Sequence, residues 1–248
     1  MPAHPAALDY LTALQGGWQM LGNDSFGDCA AVTWASVRRM MTAILGGAEH
    51  YPTLDQVVEL YKTQNPDFDP NGDPNVNGPG SQAEGGMDLQ TLFEYLQKNP
   101  GPDGAKVVAF PAVDPKNPAE VKAAIAIFGY VWTGTMVQAA NEEQFSKGEL
   151  WQYAPSSPVV GRHSIITGGY GPEPIETDPI PALGGDEKFI TWAAETSFED
   201  KFWQHEVDEA WVVIWPEHLG TNSFREGIDG AALAAAYQAI TSRQLPAT

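Results

Sequence analysis

The chain contains a single cysteine, Cys29, which follows Gly27 and Asp28 in the segment LGNDSFGDCA. A catalytic thiol needs a lowered pKa, a base that takes its proton and donors that stabilise an oxyanion. The run CAAVTWASVRRMMTAIL predicts a helix that starts at Cys29, and the unpaired N–H groups of a first turn favour a thiolate. Asp28 opposes this effect, because an adjacent carboxylate raises a thiol pKa. The segment therefore indicates a candidate nucleophile, although a lone cysteine is also a common buried structural residue.

Among the five histidines, His163 is the best candidate for the base. It lies in VVGRHSIITGGYG, where it follows a glycine turn and opens a strand-like run. A histidine at the start of a strand can face a helix N-terminus on an opposing lobe, which is the arrangement that a Cys–His pair needs. The other four lie in loops or polar segments: His4, His50, His205 and His218.

An oxyanion donor is available six residues before the cysteine, at Asn23. Its side-chain N–H₂ group, together with the backbone N–H of Cys29, would hold a developing oxyanion. Asparagine is also a frequent turn and helix-capping residue, so both roles stay open for Asn23 at the level of sequence.

The elements that must position these residues change in type along the chain. A run without Gly or Pro predicts a helix over 29–45, and further helices are predicted over 53–62, 88–98, 118–128 (capped by Asn117) and 229–240. Short β-branched and aromatic segments predict strands over 130–137, 164–166, 188–193 and 209–215. The Pro/Gly/Asn-rich segment 65–86 predicts a loop. A helical front and a strand-rich back indicate an α+β fold.

The composition limits the classes of function. The chain has 13 basic and 32 acidic residues and a formal net charge of -19, which disfavours nucleic acid and anionic membranes as partners. One cysteine excludes an internal disulfide framework and thiolate zinc sites, and no cofactor is predicted. The sequence has neither a run of about 18 apolar residues nor a basic, apolar leader. A cytoplasmic or virion-associated protein is expected.

The order of these segments resembles the papain-like cysteine peptidase superfamily. The segments that carry the resemblance are NDSFGDC, EGGMDLQTLFEYL, RHSIITGGYG and FITWAAETSF. The interval from Cys29 to His163 fits the roughly 130 to 150 residues typical of the group. The resemblance covers about residues 18–215, and LGNDSFGDC and DEAWVVI resemble a bacterial and bacteriophage branch.

The resemblance implies a single papain-like α+β domain over 1–248. A mostly helical lobe (1–105) packs on a strand-rich antiparallel lobe (106–216), with the site in the cleft between them and a helical extension over 217–248. It implies Cys29 as nucleophile, His163 as base, Asn23 as oxyanion donor and a peptide or protein as substrate.

Three positions depart from the pattern of the superfamily. Asn23 replaces the usual, longer glutamine, and Ala30 stands where a tryptophan usually follows the cysteine. The residue that orients the histidine, usually Asn or Asp, lies two before a strand tryptophan. With Trp192 as that tryptophan, the position holds Ile190, which cannot hydrogen-bond an imidazole.

No neighbouring residue replaces this orienting group in an obvious way. Thr191 is polar, but strand alternation is expected to point it to the other face. Asp178 and Asp186, in the loop upstream, are the remaining substitutes. A Cys–His pair without an orienting group is weaker, because the third group fixes the tautomer and the ring position.

Three functions therefore stay open. The first is a thiol-dependent hydrolase that cleaves a peptide or isopeptide amide through Cys29 and His163. The second is a papain-fold protein without catalysis that serves as a binding or structural component, for instance in a phage particle, and Ile190 favours it. The third is a cysteine acyltransferase that uses the same two residues.

The segment 67–75 also invites a calcium interpretation. Asp67, Asp69, Asn71 and Gly72 match the first half of an EF-hand loop. Gly78 stands where the loop requires a bidentate glutamate, and no suitable helices flank it. The pattern therefore favours a plain polar loop.

Overall fold

The protein contains six α-helices within the residues that the structure describes. The structure is a computed structural model, and it describes residues 5–11, 14, 17–45, 47–75, 82, 85–171, 187–222 and 238. The helices are α1 (Cys29–Ile44), α2 (Leu54–Tyr61), α3 (Leu89–Lys98), α4 (Pro118–Phe128), α5 (Ala139–Ser146) and α6 (Asp200–Glu206), and a 3₁₀ helix spans Pro216–Gly220.

An antiparallel sheet forms the other half of the fold. The strands are β1 (Leu8–Asp9), β2 (Phe68–Asp73), β3 (Val131–Gln138), β4 (Val159–Tyr170), β5 (Glu187–Thr191), β6 (Ala194–Phe198) and β7 (Val207–Trp211). Six of these strands, all but β2, form the sheet in the order β6-β5-β4-β3-β7, with β1 paired to the end of β4. The central strands β3 and β4 therefore have neighbours on both sides.

The sheet has a hydrophobic core on each face, because successive strand residues point in opposite directions. Ile166 of β4 joins α1, α2 and α3 in one core, which also holds Trp34 and Trp132. Ile165, its neighbour, joins α4 and α6 in the second core. Residues 30–41 of α1 are all buried, so the helix that begins at Cys29 runs through the interior.

The main helix predictions are confirmed, with ends that differ by one residue or less. Thr53 caps α2 and forms a capping box with Gln56, and Asn117 caps α4 by accepting the N–H of Glu120. Asp28 precedes α1, but its side chain makes no capping hydrogen bond to that helix. The predicted α+β arrangement is present.

Strand β4 is much longer than the predicted 164–166. It continues through Gly168 and Gly169, beyond the predicted end of the strand. A Cβ at Gly168 would lie 2.7 Å from Leu11 Cδ2, and one at Gly169 would lie 3.0 Å from the Leu8 carbonyl oxygen. These glycines therefore permit the N-terminal segment to pass close to the strand, and they do not end it.

Other elements differ from the sequence prediction as well. The predicted loop 65–86 contains β2, and α5, α6, β1 and β6 were not predicted. The prediction of a helix over 229–240 falls outside the described residues, as do Asp178 and Asp186. In the part of the chain that the structure describes, no helix has the length and apolar character to cross a membrane.

Two buried carboxyl groups face each other where β5 begins and α6 begins. Glu187 is fully buried, Asp200 is 3% exposed, and burial together with Asp200 raises the pKa of Glu187 well above its usual range. Because the pKa of this carboxyl is higher in the folded state than in the unfolded state, its protonated form stabilises the fold. This contribution to stability is complete below the unfolded-state pKa and is lost as the pH rises toward the folded-state pKa. We therefore expect Glu187→Gln to flatten the decline in stability as the pH rises above the usual pKa of a glutamate. Unfolding free energies from urea titrations at each pH measure this.

The wild-type decline that Glu187 contributes is about 1.4 kcal/mol per pH unit between its two pKa values. Glu195→Gln is the matched control, because this glutamate is exposed on the neighbouring strand β6. The control should keep the wild-type slope. A Glu187→Gln protein with an unchanged slope would show that this carboxyl is not the titrating group.

Candidate active site

Cys29 is the first residue of α1 and lines a cleft of about 690 Å³. Its side chain is partly exposed to this cleft. The N–H groups of Cys29 and Ala30 lie in the first turn of the helix, where no preceding carbonyl is available to them. The residue is therefore partly exposed at the cleft, and its thiol lies beside the first-turn N–H groups, which hydrogen-bond to it.

The electrostatic surroundings of the thiol favour its protonated form. Burial raises the pKa of Cys29 to about 11, against the lowering effect of hydrogen bonds from the backbone of Ser164, and the carboxylate of Asp28 raises it further. The backbone N–H groups of Ala30 and Cys29 lower it. The helix N-terminus and Asp28 thus act in the directions that the sequence predicts, and desolvation outweighs the helix.

His163 lies on β4 and lines the same cleft as Cys29. The side chain is 8% exposed, and burial lowers the pKa of its imidazole to about 4. The ring is therefore neutral at pH 7 and has a nitrogen lone pair that can accept a proton. The structure brings the two residues to one cleft from elements that are far apart in sequence.

Ser164, the residue after His163, attaches β4 to the first turns of α1. Its carbonyl accepts a hydrogen bond from Thr33 Oγ1 at 2.9 Å, and its hydroxyl accepts one from Trp132 Nε1 at 2.7 Å. Its backbone also hydrogen-bonds to the Cys29 thiol. The contacts to Thr33 and Cys29 fix β4 against α1 next to His163, and the contact to Trp132 fixes it to the neighbouring strand β3. Ser164 was not among the site residues predicted from the sequence.

Thr191 makes the hydrogen bond that the sequence analysis assigned to the Ile190 position. His163 Nε2 and Thr191 Oγ1 are 2.6 Å apart, and Thr191 is buried. Thr191 lies on the opposite face from Ile190, as strand alternation predicts, but His163 lies on the Thr191 face, so the expectation that the Ile190 position faces the histidine is wrong. Ile190 pairs with Ile166 of β4, so Thr191 shares its face with Ile165 and, two residues earlier, His163.

Trp192 covers the other side of the imidazole. Its ring is stacked on that of His163, with centroids 5.1 Å apart and planes 30° apart. Trp192 also packs against Trp151 and Phe145. The imidazole is thus held at one edge by a hydroxyl and on one face by an indole.

Asn23 lies in a turn before α1, where its N–H donates to the Met20 carbonyl. Its side chain lines a small recess together with Thr33, Thr191 and Trp192. This recess adjoins the His163 environment through Thr191.

The cleft has few large side chains along its walls. Five glycines line it: Gly27, Gly85, Gly86, Gly134 and Gly161. Its charged lining residues are Asp88, Arg162 and Glu209. A Cβ at Gly134 would lie 2.9 Å from Glu209 Oε2, so the absence of a side chain at Gly134 leaves room for this carboxylate. Such walls allow an extended chain to approach the backbone closely.

The other described histidines have different surroundings. His218 is fully buried, where Nδ1 accepts the N–H of Trp215 and Nε2 donates to the carbonyl of Phe128. His205 is exposed and stacks on Tyr153. The prediction of a polar segment is thus wrong for His218, which is structural.

The acidic residues of the 67–75 segment serve its turns. Asp69 accepts the N–H of Asn71, and Asp73 accepts that of Asn75. Among the described residues, no group of three or more His, Cys, Asp or Glu side chains could hold a metal ion.

A solved structure with a similar fold is that of xylellain, a cysteine protease from Xylella fastidiosa. The alignment covers 85% of this chain and 86% of xylellain, with a TM-score of 0.58 and 12% sequence identity. This chain has the papain-like fold. No protein-family model matches the sequence, and no curated protein does. At this identity the similarity concerns the fold alone, and the chemistry of this papain-like chain depends on the residues of its own cleft.

Proposed function

We propose that the protein is a thiol-dependent hydrolase that cleaves a peptide or isopeptide amide, with Cys29 as nucleophile and His163 as base. The observation that carries the proposal is that Cys29, on α1, and His163, on β4, line one open cleft in a papain-like fold. The proposal is supported by the position of Cys29 at a helix N-terminus and by a neutral, hydrogen-bonded histidine in the lining of the same cleft.

The proposed reaction starts from a neutral thiol and a neutral imidazole. The Cys29 sulfur attacks the substrate carbonyl while His163 accepts the thiol proton, so a C–S bond forms as the carbonyl becomes an oxyanion. The oxyanion collapses, the C–N bond breaks, and the imidazolium gives its proton to the leaving amine. Water then hydrolyses the thioester, with His163 again as base, and the free thiol returns.

The proposed oxyanion donors are the backbone N–H of Cys29 and the side chain of Asn23. The backbone N–H lies in the first turn of α1 and points along the helix axis toward its N-terminus, as first-turn N–H groups do. Asn23 does not line the cleft itself but lines the neighbouring recess together with Thr191, the hydrogen-bond partner of His163. The raised thiol pKa means that substrate binding, by excluding water and supplying these contacts, must accompany deprotonation.

The charges of the cleft favour a basic or neutral peptide. Asp88 and Glu209 contribute two carboxylates. Arg162 is the one Lys or Arg among the described residues that line the cleft. Both of its terminal nitrogens donate to the Asp208 carboxylate, at 2.7 and 2.8 Å. We also propose, from the sequence resemblance, that the protein belongs to a bacterial or bacteriophage branch of these hydrolases.

Peptide cleavage and its loss in Cys29→Ala test the proposal. Neutral, basic and acidic peptides of mixed sequence are incubated with the full chain, and products are identified by mass spectrometry. We expect cleavage, with basic and neutral peptides preferred, and a loss of at least about 10³-fold in Cys29→Ala, because the nucleophile is removed. Intact-mass spectra should show a thioester adduct on the wild-type protein.

Ser25→Ala is the control, since Ser25 is exposed in the segment just before Cys29. It should cleave like the wild type. Equal cleavage by Cys29→Ala, or no cleavage of any peptide by the wild type, would contradict the proposal. Transfer of the acyl group to an added amine in place of water would identify an acyltransferase that uses the same residues.

A second candidate is a papain-fold binding or structural protein without catalysis, for instance in a phage particle. The observation that favours it is the pKa of Cys29, which burial raises to about 11. Such a protein would react with iodoacetamide no faster than a free thiol peptide, and His163 would not affect the rate.

A further inference from the structure

The hairpin that carries Thr191 has an unusual turn. Thr191 and Ala194 form the last pair of β5 and β6, so Trp192 and Ala193 are its two-residue loop. Both have positive φ angles, 43° and 61°. Two-residue hairpin loops of this kind normally contain Asn-Gly or a similar pair, because a side chain in this conformation costs about 1 to 2 kcal/mol per residue.

The strained turn has a local consequence for the imidazole. It ends β5 at Thr191, where the hydroxyl reaches His163 Nε2, and it turns Trp192 back onto the His163 ring. The packing of Trp192 on Trp151 and Phe145 offsets the backbone strain. Strain of this kind is maintained where the surrounding structure determines it, and it clusters at functional sites.

We propose that Thr191 is the positioning residue of His163, and that its uncharged hydroxyl keeps the resting site as a neutral thiol and a neutral imidazole. This inference rests on the proposed function. With Nε2–H donating to Thr191 Oγ1, the lone pair lies on Nδ1, the remaining nitrogen, which can accept the thiol proton. The same Nε2–H hydrogen bond persists when Nδ1 becomes protonated, so Thr191 serves both states.

An Asp at this place would do something that Thr191 does not. A carboxylate stabilises an imidazolium by its charge, whereas a hydroxyl offers a dipole alone. A resting ion pair would need a thiolate at Cys29. Asp28, the residue before α1, disfavours that thiolate by its negative charge. The other charged residues of the cleft wall are Asp88, Arg162 and Glu209. Burial lowers the pKa of His163 to about 4, in agreement with a neutral ring.

The test uses the full chain with ¹⁵N-labelled histidine and compares the wild type with Thr191→Ser and Thr191→Val. In the wild type and in Thr191→Ser, NMR of His163 should show one tautomer, with the proton on Nε2, and a ring that stays neutral down to about pH 5. Thr191→Val has a similar shape without the hydroxyl. It should show a mixture of tautomers and a loss of about tenfold in His163-dependent alkylation of Cys29, whereas Thr191→Ser should stay near the wild-type rate.

These readouts separate the two proposals. If no peptide is cleaved, the tautomer of His163 in the three proteins still decides whether Thr191 positions the ring. A Thr191→Val protein with the wild-type tautomer and rate would overturn the positioning role, and an imidazolium signal at pH 6 to 7 in the wild type would overturn the neutral resting pair. If Thr191→Val does not fold, Thr191→Ala removes the same hydroxyl with less bulk at the buried position, and the same two outcomes apply.

Discussion

Replacement of His163 by alanine is expected to slow the alkylation of Cys29 at pH 7 by about 10² to 10⁴-fold, the usual contribution of a general base. The reason lies in the protonation of the thiol. Because burial raises the pKa of Cys29 to about 11, only about one molecule in ten thousand carries a thiolate at pH 7. Reaction at neutral pH then requires that a base remove the proton as the sulfur attacks, and His163 is neutral above about pH 4.

The shape of the pH profile gives a sharper test than the rate alone. With His163 as base, the rate of iodoacetamide alkylation should rise as the imidazole loses its proton near pH 4 and then stay flat toward pH 9. In His163→Ala the flat region should disappear, and the rate should rise about tenfold per pH unit with the thiolate fraction. Initial rates from pH 4 to 10, followed by intact mass, measure both profiles.

His205→Ala is the matched control, because His205 is exposed and stacks on Tyr153. It should have the wild-type profile. A wild-type rate that already rises tenfold per pH unit between pH 6 and 9 would show that His163 does not act on the thiol, and would favour the binding or structural protein.

The parts of this site that the sequence predicts are those fixed by local signals. The start of α1 at Cys29 follows from a long run without Gly or Pro, and the starts of α2 and α4 follow from the capping residues Thr53 and Asn117. His163 is predictable as the start of a strand, because it follows a glycine turn and opens a β-branched run, and its pairing with Cys29 follows from the resemblance to papain-like peptidases.

Thr191 could not be predicted in the same way. Its orientation depends on where β5 ends, and that is decided by the Trp192–Ala193 turn, which lacks the Asn-Gly signature of its class. The register of β5 against β4 then sets the face on which it lies. Gly168 and Gly169 were misleading for a related reason, since their close neighbours are Leu11 and Leu8, which are far away in sequence.

Replacement of Arg38 by methionine is expected to lower the free energy of unfolding by about 3 to 5 kcal/mol, the usual cost of breaking a buried ion pair. Arg38 lies on α1, and its Nε donates to Asp103 at 2.6 Å while Nη2 donates to Glu217 at 2.7 Å. The side chains of Arg38 and Asp103 are 4% and 1% exposed, and the guanidinium lies over the Trp215 ring. Methionine keeps much of the apolar contact but leaves the Asp103 carboxylate buried without its cation. Urea unfolding at pH 7 measures the loss.

Arg162→Met is the matched control for Arg38→Met. Its ion pair with Asp208 has comparable distances, but the two side chains are 56% and 47% exposed, so the change should cost less than about 1 kcal/mol. Equal losses for the two variants would show that burial does not set the strength of the Arg38 contacts.

A large loss of stability for Arg38→Met alone has a consequence for the site. Arg38 fixes α1 to the 3₁₀ helix and to the loop at Asp103, and Cys29 is the first residue of α1. Below the unfolding transition, Arg38→Met should therefore also broaden the His163 signals in the ¹⁵N-histidine spectra.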